Sequence, residues 1–335
     1  MNFESTCNNL NKNIYNKQRR VIAIGDIHGD LNMLILLLNN IKLVNKNNEW
    51  LGKDTYIVIV GDIMDSCRKD CPFNNENEKN TTFSNKGDLD ILYYLYNLNK
   101  LALKKNGRII TLLGNHEIMN FMNDYRYNSA GDIYVSNKYN FISNEIILNK
   151  KFKEISFNDA LKKKNNLFTR GNEFSKFIAC NTNSVVIIGS WLFSHAGILP
   201  DLAKKYSVSD INKSIRLWLI DNISTDDKKF HIEKMISDAG LSPFWNRIFG
   251  RIPVNETFNS QQCETYLEPV LKIYKNLEGE NISNMVIGHT PQNKISSTCS
   301  KKLYKIDIAM SKAFNGSKKP HALEIINDIE VNVIY

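Results

Sequence analysis

Four of the chain's six histidines stand in short glycine-containing motifs, three of which also hold aspartate, asparagine or serine. In order they are "GDIHGD" with Asp26 and His28, "GNHE" with Asn115 and His116, "SHAG" with His195 and "GHT" with His289. A fifth motif, "GDIMDS", adds Asp62 and Asp65. Carboxylate, amide and imidazole donors without cysteine suit Fe, Zn or Mn at a working site better than structural zinc. Asp26, His28, Asp62, Asn115, His195 and His289 are too many ligands for one open metal, but they suit two metals that share a carboxylate. Metals paired about 3.5–4 Å apart can clamp the attacking and leaving oxygens of an in-line phosphoryl displacement. Any one motif alone fits a buried histidine or a turn equally well; it is their ordered recurrence that points to metal chemistry.

Such ligands must be delivered by a scaffold, and each motif follows an apolar run. "VIAIG" leads to Asp26, "TYIVIVG" to Asp62, "RIITLLG" to Asn115, "SVVIIGSWLF" to His195 and "NMVIG" to His289. Short apolar runs alternating with helical patterns indicate an α/β layered fold, in which ligands gather where strands end. "DLNMLILLLNNIKL" reads as a helix capped by Asp30, and "GDLDILYYLYNLNKLALKKNG" as an amphipathic helix closed by Gly107. "SVVIIGSWLFSHAG" reads as two strands around a Gly-Ser turn, and "KLYKIDIAM" and "ALEIINDIEVNVIY" as further strands. Residues 68–87 form a polar loop without periodicity, and residues 119–183 an irregular, helical insertion or cap. The expected layout is an N-terminal tail, 1–18, followed by one catalytic domain, 19–335.

At 335 residues the chain can bury a sizeable core, and 42% hydrophobic with 23% charged residues is ordinary for a globular protein. No apolar stretch is long enough to cross a bilayer, and the first twenty residues lack the apolar segment of a signal peptide, which together suggest a cytoplasmic protein without membrane partners. The net charge of +8 comes from dispersed lysines rather than one basic arm, and no aromatic-and-basic module points to nucleic acid. The field would instead favour phosphorylated substrates. Cys7, Cys67, Cys71, Cys180, Cys263 and Cys299 are scattered, so reduced thiols are expected, with a redox pair at Cys67 and Cys71 the lesser alternative.

The series "GDIHGD", "GDIMD", "LLGNHE", "SHAG" and "GHT" resembles the calcineurin-like metallophosphoesterases, in particular the phosphoprotein phosphatase group. With "SPFWNR", "MVIGHTPQ" and "LYKIDIAMS" it is most similar to the Shewanella-like protein phosphatases, from about Val21 to the C-terminus. The resemblance implies a layered metallophosphoesterase fold, a central β-sandwich flanked by helices with a helical cap. It also implies two metal ions (Mn, Fe or Zn) per chain. Asp26 and His28 would hold the first metal, Asp62 would bridge both, and Asn115, His195 and His289 would complete the second. In the family a metal-bound hydroxide attacks phosphorus in line; His116 would be the general acid, and Asp65 would orient its imidazole.

The family usually follows the second aspartate with arginine, whereas this chain has Asp65-Ser66-Cys67. A phosphate needs cationic forks, and Arg247 in "FWNRIFG" and Arg170 in "FTRGNE" are the candidates, beside Asn115; Arg68 is close enough in sequence to reach in. The implied activity is a protein phosphatase acting on phosphoserine, phosphothreonine or phosphotyrosine, or on small phosphoesters. The alternatives are a dinucleoside polyphosphate hydrolase or phosphodiesterase, and a scaffold that keeps metals but has lost catalytic power.

Overall fold

The computed structural model describes residues 7, 12–72, 83–223, 226–237, 240–257, 260–279, 281–314 and 319–335. Most of the expected tail and the middle of the polar loop, residues 73–82, lie outside them. The described strands are β1 Ile14–Tyr15, β2 Arg20–Ile24, β3 Tyr56–Ile59, β4 Arg108–Leu112, β5 Tyr139–Ile142, β6 Glu145–Leu148 and β7 Thr182–Asn183. They continue with β8 Val185–Ile188, β9 Trp191–Ser194, β10 Asn284–Ile287, β11 Ser296–Thr298, β12 Leu303–Lys305, β13 Ala322–Ile326 and β14 Glu330–Ile334. One six-stranded sheet has the order β14-β13-β2-β3-β4-β7, the other β1-β8-β9-β10-β12-β11. Both are mixed, helices flank them, and their buried residues join in one core. The expected α/β layering is therefore present.

Parallel pairing makes the site possible. β2, β3 and β4 run parallel with Ile24, Ile59 and Thr111 in register, so the residues after them emerge at one edge of the sheet. β9 and β10 run parallel with Ser194 opposite Ile287, which brings out His195 and Gly288 together. The runs "VIAI", "IVI" and "ITL" are buried on both faces, as strands of a parallel sheet must be.

The first two helices are α1 Leu31–Asn40 and α2 Leu89–Leu103. Asp30 caps α1 as expected, its Oδ1 accepting the Met33 amide at 3.1 Å. Gly107 does not close α2: Lys104 stands at the C-cap, and Asn106 takes the left-handed conformation at φ +60°.

The segment from 119 to 183 follows α3 Asn115–Phe121 and contains α4 Ala130–Tyr134, α5 Phe157–Leu167 and α6 Glu173–Asn181. It is not wholly helical, because β5 and β6 form a hairpin within it. Ser143 and Asn144 turn that hairpin at φ +51° and +63°, the two positive angles a tight two-residue turn demands. A buried ion pair fastens this segment to α2. Lys164, fully buried on α5, places Nζ 3.7 Å from Asp88 Oδ2 and donates to the Asp132 carbonyl at 3.3 Å. Burial pushes the Asp88 carboxyl well up, against the pull of Lys164 and with Asp132 and Asp65 adding to the rise. Lys164→Ala should lower unfolding free energy by about 3 kcal/mol, because removing one partner strands the other. A chemical denaturation midpoint close to wild type would show that water replaces the ammonium.

The cysteines correct the expectation of reduced thiols. Cys7–Cys180, Cys67–Cys71 and Cys263–Cys299 are disulfides, with Cα–Cα separations of 5.5, 5.7 and 5.7 Å. Partners 173 and 36 residues apart are brought together by the tertiary fold, which scattered spacing cannot reveal. Among the described residues, no helix is long and apolar enough to cross a membrane.

Candidate metal centre

The loop after β3 carries the central carboxylate, Asp62. Its backbone is bent to φ +49°, and His28, Asp65 and His289 are also left-handed, at +42°, +66° and +63°. Non-glycine residues rarely accept such angles, and these four stand in the loops that leave the strands. Glu117, buried on α3, holds the loop: its carboxylate accepts the amides of Asp62, Ile63 and Met64 at 2.9–3.0 Å and that of Gly114 at 2.7 Å. Burial first, then the charge of Asp62, pushes the Glu117 carboxyl up to about 7 despite these donors.

Three imidazoles converge on Asp62 Oδ2. The Nε2 atoms of His195, His28 and His116 lie 3.3, 3.7 and 3.8 Å from it. Carbonyl partners aim two of them: His28 Nδ1 contacts Met64 O at 3.0 Å, and His195 Nδ1 contacts Val60 O at 2.9 Å, so each Nε2 faces inward. Asn115 Oδ1 lies 2.9 Å from His195 Nε2, and His289 Nδ1 lies 3.2 Å from the same atom. Asp26 accepts the His289 amide at 3.1 and 3.2 Å, and its Oδ2 lies 4.0 Å from His28 Nε2. Donors of His28, Asp62 and His116, and of Asp62, His195 and His289, each gather within 4.8 Å, with Asp62 common to both groups.

The electrostatics fit a cation. Burial raises the Asp26 carboxyl well above the carboxylate range, reinforced by Asp307 and Asp62. Asp307 is itself pushed up to about 6, chiefly by burial. Burial pulls the other way at Asp62, but the surrounding imidazoles hold it well below that range. His195, despite burial, is pushed up to about 9 by Asp62, Asp26 and Glu117. His289 presents Nδ1 to this cluster, while its buried Nε2 has no hydrogen-bond partner among the described residues. Crowded carboxylates and inward imidazoles suit divalent or trivalent metal.

Close backbone approach also shapes the site. A Cβ on Gly114 would stand 2.1 Å from Asp62 Oδ1, and one on Gly288 2.3 Å from Asp26 Oδ1. Gly114→Ala should therefore displace the Asp62 carboxylate and weaken metal binding roughly 10–100-fold, as disturbed support around metal ligands does. Calorimetric metal titration would check this, and wild-type affinity would mean that the loop relaxes freely.

Beside this cluster, His116 Nδ1 meets Asp65 Oδ2 at 2.6 Å. Asn120 and Asn128 amides bond to the other carboxylate oxygen at 2.7 and 2.5 Å, so Asp65 is fixed on both sides. Neither asparagine stood out in the sequence, although Asn120 lies one helical turn beyond His116. Arg247 lines the cleft and donates from Nη1 to the His289 carbonyl at 2.9 Å. Arg170 is not brought there; it pairs with Asp221 at 3.3 Å and stacks over Trp218. Ser66 turns away too: its Oγ lies 2.7 Å from Asp132 Oδ2 and 2.8 Å from Ser129 Oγ, and its amide donates to Asp132 at 3.0 Å. Arg68 enters the cleft instead, with Nη2 2.8 Å from both ring nitrogens of His28 and 3.3 Å from His116 Nε2. The cleft holds about 360 Å³, and a neighbouring cavity of about 520 Å³ shares His28 with it.

Comparison with known proteins agrees with this geometry. The family profile of calcineurin-like phosphoesterases matches residues 19–312. An uncharacterized protein, R398, of Acanthamoeba polyphaga mimivirus is 35% identical over 67% of this chain and 90% of its own length. Shewanella-like protein phosphatase 1 of Plasmodium berghei is 28% identical over 94% of this chain and 76% of its own. The crystal structure of a cold-active protein-tyrosine phosphatase from a psychrophilic Shewanella species shares the fold, with a TM-score of 0.65, 18% identity, and coverage of 98% of this chain and 83% of that one. The chain belongs to the calcineurin-like phosphoesterase family, and Shewanella-like protein phosphatases are among its relatives.

Proposed function

We propose that this protein is a phosphomonoesterase with two metal ions per chain, acting on phosphorylated protein. The observation that carries this reading is the Asp62 carboxylate, shared by two donor groups and lying 3.8 Å from a histidine that an aspartate orients. Asp26, His28, Asp62, Asn115, His195 and His289 would hold the metals, which when bound supply an acidified water and positive charge for the phosphate. Arg247, fixed by the His289 carbonyl, meets a phosphate oxygen from the rim. His116, held by Asp65, delivers a proton from Nε2 to the departing oxygen.

The neighbouring cavity favours a polypeptide substrate. Tyr93, Tyr94 and Tyr139 stand along its wall with Lys86 and Lys312, beside Asp30 and an Asp90 paired to Lys138, which gives aromatic surface and both signs of charge for residues flanking the phosphorylated side chain. The names of the relatives point the same way. The test is hydrolysis by protein supplied with Mn, Fe or Zn, across phosphoserine, phosphothreonine and phosphotyrosine peptides and diadenosine tetraphosphate. Turnover of peptides is expected; turnover of the nucleotide alone would replace this reading with a dinucleotide hydrolase. Binding of metal without turnover of any of them would leave a scaffold.

A further inference from the structure

We propose that Arg68 is the cation that grips the substrate phosphate, and that the Cys67–Cys71 disulfide positions it, so that the grip is firm in oxidised protein and slack after reduction. The inference rests on the phosphomonoesterase reading above. Ser66 has no charge to offer, and its hydroxyl is spent on Asp132 and Ser129. Arg68 reaches the same cleft as Asp26, Asp62 and Arg247. Its Nη1 donates to the carbonyls of Cys67 at 2.8 Å and Asp65 at 3.3 Å, leaving Nη2 over His28 and beside His116. The rings of Tyr127 and Phe314 flank the guanidinium at 5.0 and 4.8 Å. Among the described residues no carboxylate pairs with it. A guanidinium held against two imidazoles without a counter-ion leaves one role in this cleft, the binding of an anion that arrives with the substrate.

The loop that carries Arg68 is short and closed on itself. The Cys67 amide donates to Tyr127 O at 3.0 Å, and the bond to Cys71 cyclises Arg68, Lys69 and Asp70 between the two sulfurs. Asp70 is held at φ +53° within that ring. The Cys71 sulfur thus ties the chain covalently just past the arginine. Opening the disulfide frees backbone angles around a long, flexible side chain, and phosphate binding must then order both. Cys71 is buried and Cys67 partly exposed, so an external thiolate has access at Cys67. A dithiol reductant attacks the Cys67 sulfur and expels the Cys71 thiolate, which takes up a proton. Its second thiolate then attacks the mixed disulfide and releases Cys67. The reductant leaves as a disulfide, and the protein gains two electrons and two protons.

The experiment measures calorimetric binding of inorganic phosphate to full-length, metal-loaded protein, oxidised or treated with a dithiol. Metal content is checked by elemental analysis, the state of Cys67 and Cys71 by mass mapping of alkylated thiols, and folding by thermal melting. Reduction should weaken phosphate binding roughly 3–10-fold with metal content unchanged. Cys67→Ser/Cys71→Ser should bind as weakly as reduced protein and ignore the dithiol. Arg68→Ala should weaken binding roughly 10–100-fold and abolish the response, and Arg68→Lys should restore part of it. Wild-type binding by Arg68→Ala would overturn the assignment of the arginine. Wild-type binding by the double serine variant, or an undiminished dithiol response in it, would overturn the role of this disulfide. Failure of oxidised wild type to hydrolyse any phosphoester would instead remove the phosphatase reading, while the binding data still judged Arg68 and its loop.

Discussion

Asp62→Asn should abolish phosphoester hydrolysis, by at least ~10³-fold in kcat, while the metal-free protein remains folded. Three imidazoles point at one oxygen of this carboxylate, and both donor groups need it. An asparagine keeps the shape and can still accept the His116 amide, which Asp62 Oδ1 accepts at 3.0 Å. It cannot supply the negative charge that two neighbouring cations would share. Metal ions contribute several kcal/mol of transition-state stabilisation, and ~4 kcal/mol corresponds to the stated loss. Without metal the effect is smaller. Asp62 is buried near Asp26, Asp307 and Glu117, each of which its charge pushes upward. The imidazoles around it nonetheless hold it well below the carboxylate range, so its charge is a net contribution to the fold at neutral pH. Neutralising it should lower the metal-free melting temperature modestly and shrink the stabilisation gained on adding metal. Elemental analysis gives the decisive count. A variant that keeps two metals per chain and near wild-type turnover would remove Asp62 from the centre of the site. Simple unfolding would show instead as loss of the cooperative melting transition of the metal-free protein.

What could be read from the sequence was what depends on a few neighbouring residues. An apolar run followed by glycine and an aspartate or histidine reports a strand exit, and the parallel register of β2, β3 and β4 turns three such exits into one site. The hairpin β5–β6 also left a local signal, the alternation of buried Tyr139 and Phe141 with exposed Asn140 and Ile142, overlooked within a segment read as helical. Other features depend on partners far along the chain. Asp132 gathers Ser66, Ser129 and the Asp88 amide, an arrangement that no spacing announces. The buried pairing of Lys164 with Asp88 has the same character, as do disulfides that join residues 173 and 36 apart. The arginines illustrate both cases. Arg170 sits in a motif yet serves Asp221 and Trp218, whereas Arg68 departs from the expected position by two residues and still arrives in the cleft.

His116→Asn should separate leaving groups that need a proton from those that do not. The imidazole is held through Nδ1 by Asp65, whose other oxygen is fixed by Asn120 and Asn128, so Nε2 alone is free to face the reacting centre. It lies 3.8 Å from Asp62 Oδ2, close to where the phosphoester must sit. An alkoxide leaving a phosphoserine is a strong base and departs with difficulty unless protonated as the bond breaks. A p-nitrophenolate carries its charge unaided. Positioned general acids contribute roughly 10²–10⁴-fold, so kcat for phosphoserine peptides should fall by about 10³, with p-nitrophenyl phosphate losing no more than about tenfold. Asparagine also removes a nitrogen from one of the two donor groups, which makes metal content the necessary control. Retained metals with an equal loss for both substrates would mean that His116 orients the phosphate rather than protonates the departing oxygen. Loss of metal would make it a ligand. Asp65→Asn refines the distinction, because its amide would face those of Asn120 and Asn128 and loosen the imidazole without touching Nε2. The same leaving-group dependence, smaller in size, is expected there, since Asp65 acts only through the ring it holds.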